Sequence, residues 1–265
     1  MGISRMKTIS KLFFSLFGAM LLGGVIAVLL VGGLEWVNLS VNHQTERLIG
    51  SSITILCVAY IFDQVTSNMK RKSIDTVALR TPVSIVRWIQ YFIVVMGMVY
   101  VLHYLSIQII HLIELVFAKT IENEDLMKDV PLFIYFICGV IISPAAEEII
   151  FRKILLERLL PYGKTVAIIV SSLFFGMMHG NIEQFLYTFF SGIIFANLVI
   201  ISGKLSYSIY MHMLVNFFGG IVGESIQGQP LLIVVVVTFF VFGGTLILIL
   251  YGKEMFPRYD EEKYY

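Results

Sequence analysis

Apolar residues run along this chain in long unbroken blocks with polar residues gathered between them. That is neither the alternation of a half-buried strand nor the stripe of a soluble amphipathic helix. A helix needs about 20 apolar residues to cross the ~30 Å hydrocarbon core of a bilayer. Measured against that length, the pattern predicts about eight transmembrane helices, at roughly 12–34, 48–65, 86–106 (with a continuation to 118), 131–158, 165–179, 182–201, 205–222 and 230–252. The first block follows a basic stretch, MGISRMKTISK, as a signal peptide would. It exceeds the ~7–15 residues of a signal h-region, so a retained first helix is expected. No internal repeat or low-complexity segment is visible, and the longest polar connection, about 63–85, is too short to fold alone. The expected architecture is all-α and polytopic, with residues 1–265 forming a single integral membrane domain.

Composition agrees: 58% of residues are hydrophobic and 14% charged, against roughly 45–50% and about 25% in soluble proteins. The net charge of +1 carries no information about partners, and the aromatic residues lie inside apolar runs rather than among basic clusters. The lipid bilayer is the expected surrounding and nucleic acid is not an expected partner. Cys57 and Cys138 both fall in apolar runs, without zinc-knuckle spacing, so no disulfide framework follows. Lys and Arg collect at the N-terminus (Arg5, Lys7, Lys11), in the second loop (Lys70, Arg71, Lys72, Arg80, Arg87) and at the fourth connection (Arg152, Lys153, Arg158, Lys164). With eight spans these groups share one side, and the loop at 119–130, acidic on balance, takes the other. Both termini are then expected in the cytoplasm, whatever the charge of the tail YDEEKYY. Compact loops favour a bacterial plasma membrane.

Against this apolar background a few ionisable groups stand out. Glu147 and Glu148 sit within ICGVIISPAAEEIIFRKILLERLL, where a charge costs at least ~2.5–3.5 kcal/mol on insertion scales. Glu148 and Arg152 are four apart and share a helix face, so they can pair, while Glu147 points about 100° away and is left as a base. Pro144 frees a carbonyl one turn back, and Ala145 and Ala146 admit a close neighbouring backbone. Phe175 is four residues before His179, and His212 is four before Asn216. Each of these residues has an ordinary reading too: a glutamate paired at a helix end, a capping histidine, an interhelical hydrogen bond. Together they supply a base for water, donors for an oxyanion and a proton for a leaving amine. Glu147 with His179 would activate water, and His212 with Asn216 would receive the oxyanion. Counting ~1.5 Å per residue from the helix ends puts His212 near 10 Å deep and His179 near 20 Å, so assembly demands tilted helices or shifted boundaries. His103, His111 and Glu114 are expected on an interface-lying helix end, and Asn197 either turns to the site or joins two helices.

The order EEIIFR, FGMMH, HMLVN closely resembles the signature EExxxR, FxxxH, HxxxN of the CPBP family, the CAAX proteases and bacteriocin-processing enzymes also called Abi, which includes the type II CAAX prenyl endopeptidases. The resemblance covers about 131–222, the expected catalytic helices. It implies an intramembrane endopeptidase that uses Glu147, Glu148, His179, His212 and Asn216, with Arg152 and Phe175 in support. A glutamate and a histidine would activate water, and the second histidine and the asparagine would bind the oxyanion. Glu147, His179 and His212 are a donor set that suits a zinc ion with an open position, but the HExxH spacing is missing, so no obligatory metal or other cofactor is expected. The implied partners are a peptide or lipidated protein substrate and peptide export or quorum-sensing machinery. Two rival classes share some of these features. A non-catalytic immunity or regulatory protein on the same scaffold has no need of six polar groups. A proton-coupled transporter would show inverted repeats and broken helices, and neither is seen in the sequence.

Overall fold

The computed structural model describes residues 2–36, 41–118, 120 and 129–257. Apart from residues 120, 129 and 130, the acidic loop at 119–130 lies outside that description, as does the tail at 259–265. The described chain is helical throughout: α1 (Gly2–Trp36), α2 (His43–Thr66), a short α3 (Ile74–Val77), α4 (Ile85–Phe117), α5 (Leu132–Tyr162), α6 (Lys164–Met178), α7 (Ile182–Ser202), α8 (Leu205–Ser225) and α9 (Pro230–Met255). Seven of these are long and apolar enough to cross a membrane. The protein is therefore an all-α, polytopic, multi-pass membrane protein.

The expected fifth span is the exception. α6 has 15 residues, about 22 Å at 1.5 Å per residue, short of the hydrocarbon thickness. Glycines bound it at both ends, Gly163 at φ 109° and Gly180 at φ 69°, where a side chain would be strained. α4 runs unbroken through His103, His111 and Glu114, following the longer of the two expected boundaries.

Packing divides the bundle in two. One apolar cluster joins α1, α2, α3, α5 and α6 with Ala196, Val199 and Ile200 of α7; the other joins α4, α8 and α9 with Ile194, Phe195 and Leu198 of α7. α7 thus serves both halves. α4 and α9 cross tightly because glycines let each backbone touch the other: a methyl on Gly97 would lie 2.5 Å from the Phe240 carbonyl oxygen, and one on Gly244 would lie 3.1 Å from that of Ile93. Asn197, fully inside the fold, donates to the Met255 carbonyl at 2.7 Å and joins α7 to the end of α9.

The connection after α2 closes one end of the bundle. Glu157 of α5, 2% exposed, accepts from Lys153 Nζ at 2.8 Å and from the Ile74 amide at 3.1 Å. Arg158, 1% exposed, donates to the Thr66 carbonyl at 3.0 Å and to Asp63 Oδ1 at 2.8 Å. The Leu79 and Thr81 amides, both at 3.0 Å, satisfy the Ile200 and Ile201 carbonyls at the end of α7. Arg152, Arg158 and Lys164 are therefore buried inside the fold and do not sit in an open connection, which corrects their reading as loop charges.

Candidate active site

α5 is not a uniform α-helix. Ser143–Glu148 is α-helical, and wider π-helical turns flank it at Phe136–Ile142 and Ile149–Leu155. α8 likewise changes from α, Leu205–Asn216, to π, Phe217–Val222. Such turns are uncommon and insert one extra residue, re-aiming the side chains on either side. Here they bracket the two carboxylates on α5 and immediately follow Asn216 on α8.

Glu148 is fully buried. One oxygen, Oε1, accepts from His212 Nδ1 at 3.1 Å. The other lies 3.2 Å from Arg152 Nε but is misaligned for a hydrogen bond, so the pair is held by charge. The guanidinium, also fully buried, donates through Nη2 to the Gly192 carbonyl at 3.4 Å and lies over the Phe175 ring, 4.4 Å from its centre. Arg152 thereby neutralises a fully buried carboxylate, at the expected i,i+4 spacing.

His212 reaches both glutamates. A carboxylate can only accept, so Nδ1 carries the proton towards Glu148, and Nε2 faces Glu147 Oε2 at 3.8 Å, beyond hydrogen-bond length. Glu147 Oε2 is buried and makes no hydrogen bond. His179 is fixed separately. Its Nδ1 contacts the Phe175 carbonyl at 2.9 Å, which fixes Nδ1 as donor and leaves the Nε2 lone pair open. Asn181 donates to the His179 carbonyl at 3.2 Å and caps α7 through the Gln184 amide at 2.8 Å. No hydrogen bond joins Glu147 to His179. Phe175 is the shared wall: its ring centre is 5.0 Å from that of His179 and 5.5 Å from that of His212, edge-on to both. The two imidazoles, expected at different depths, thus border one ring.

Asn216 projects from the same face of α8 as His212, but its Nδ2 donates to the Gly139 carbonyl at 2.9 Å. Sequence reasoning missed two participants, the Gly139 and Gly192 carbonyls, which belong to the main chain and left no signal. Among the described residues no group of three His, Cys, Asp or Glu side chains is placed to hold a metal ion.

Two carboxylates, a guanidinium and two imidazoles, buried or half-buried, thus converge from three helices of an all-α membrane bundle. Residues 129–218, which contain every one of these site residues, match the family model described as type II CAAX prenyl endopeptidase Rce1-like. The chain is 36% identical over 97 residues to YdiL of Bacillus subtilis, named provisionally as a membrane peptidase; the match takes in 36% of this chain and 38% of the relative. It is 33% identical over 98 residues to the membrane-embedded CAAX protease MroQ of Staphylococcus aureus, across 34% of this chain and 39% of the relative. The chain thus spans less than two-fifths of the curated relatives it matches. No solved structure matches it.

Proposed function

We propose that this protein is an intramembrane endopeptidase that hydrolyses a peptide bond by direct attack of water. The observation that carries the reading is His212 set between two carboxylates, with Nδ1 held by Glu148 at 3.1 Å and Nε2 turned to Glu147 at 3.8 Å. Glu147, whose buried oxygen makes no hydrogen bond, takes a proton from water. The hydroxyl attacks the peptide carbonyl, and Glu147 returns the proton to the leaving amine. His179 holds the water through Nε2. His212 in its charged form, with the second amide hydrogen of Asn216, donates to the oxyanion. Glu148 and Arg152 orient His212 and balance its charge. General base catalysis of this kind contributes ~10²–10⁴-fold.

The substrate is a membrane-associated, lipidated or exported peptide, and the setting is a bacterial plasma membrane. The names of the two relatives, a membrane peptidase and a CAAX protease, support the activity. Complementation separates this reading from a purely regulatory protein: a deletion strain carrying Glu147→Gln, inserted at native levels, is expected to keep the deletion phenotype. Full rescue by Glu147→Gln would establish the non-catalytic alternative.

A further inference from the structure

The first π segment of α5 ends at a defined place. Its last hydrogen bond runs from the Ser143 amide to the Cys138 carbonyl, five residues back. The next bond in that register would run from residue 144 to Gly139, and residue 144 is proline, which has no N–H. The Gly139 carbonyl is therefore left without its helical donor, and Asn216 Nδ2 occupies that place at 2.9 Å. One turn further along, Tyr135 packs its phenol against Gly220 of α8. In the opposite direction along α8, His212 reaches Glu148 at 3.1 Å. These contacts form a ladder in which α5 and α8 run past each other, and the Asn216 rung lies next to the catalytic one.

We infer that Asn216 is a positioning residue: by replacing the amide that Pro144 lacks, it sets the register of α8 on α5 and so aims His212 at both glutamates. The hydrogen bond is a property of the fold, whereas its consequence for cleavage rests on the endopeptidase reading. An asparagine amide carries two hydrogens, so the bond to Gly139 leaves one for an oxyanion. The two roles make opposite forecasts for one double variant. Pro144→Ala restores an N–H that can satisfy Gly139, and it can therefore compensate for loss of the Asn216 amide only if that amide serves the backbone.

The test is a cycle of native protein, Asn216→Leu, Pro144→Ala and the double variant, purified in detergent with ¹⁵N-labelled histidine. Asn216→Leu is expected to lower the melting temperature by about 2–4 °C and to shift the His212 Nδ1–H resonance, assigned by its absence in His212→Gln. Pro144→Ala in that background is expected to restore at least half of the melting temperature and to return the resonance towards its native position. Additive melting effects, or an unmoved His212 resonance in Asn216→Leu, would overturn the inference. Neither readout needs a substrate, so this cycle can fail while the endopeptidase reading stands. Peptide release by the double variant, recorded alongside, tells whether Asn216 also serves the oxyanion: recovered register without recovered cleavage assigns it both tasks.

Discussion

Arg152 is the residue on which the buried charges depend. It has no exposure and faces a carboxylate that also has none. Removing one partner of such a pair leaves an uncompensated charge, at about 3–5 kcal/mol. Arg152→Ala is therefore expected to lower the yield and melting temperature of detergent-purified protein sharply, while Glu148→Gln with Arg152→Met, which removes both charges, is expected to recover much of the stability and none of the cleavage; equal destabilisation by the single and double variants would contradict the pairing. This pair was legible in the sequence because an i,i+4 spacing survives any error in helix boundaries. The partners of Asn216 and His179 were not, since both bond to main-chain carbonyls, at Gly139 and Phe175, and a backbone acceptor has no letter in the sequence.

At the level of elements, hydropathy located the helices well because lipid forces every backbone amide to be satisfied within a segment. It misjudged α6, since burial by protein and burial by lipid select the same side chains, and a 15-residue helix inside a bundle reads like a short span. Hydropathy was also silent on the π turns of α5 and α8. The α4–α9 crossing offers a separate check. A side chain at Gly97 meets the Phe240 main chain at 2.5 Å, and backbone cannot rotate away as a side chain can. Gly97→Leu is expected to cost about 1–3 kcal/mol, read as a lower melting temperature and faster proteolysis of α9. Unchanged proteolysis would show that the two helices are not held by this contact.

Over the whole molecule, two apolar clusters share α7, and the site lies where α5, α6 and α8 meet. The cluster of Asp63, Lys153, Glu157 and Arg158 fastens the connection after α2 across the end of α5. Arg158→Met removes the bonds to Thr66 and Asp63 and is expected to raise amide exchange between residues 66 and 79, with little change in α4 or α9; unchanged exchange there would mean that the connection is held by its apolar contacts alone. The sequence placed Arg158 among loop charges because distance along the chain to the nearest apolar block says nothing about which segment folds back over it. The claim that unites these scales is that Glu147 is the base of a hydrolytic site inside the membrane. Its most direct test compares, by mass spectrometry, the peptides released by cells carrying the native protein with those from cells carrying Glu147→Gln at equal membrane abundance. Peptides present only with the native protein, lost at least ~100-fold in the variant, are the predicted result; identical peptide sets would contradict it.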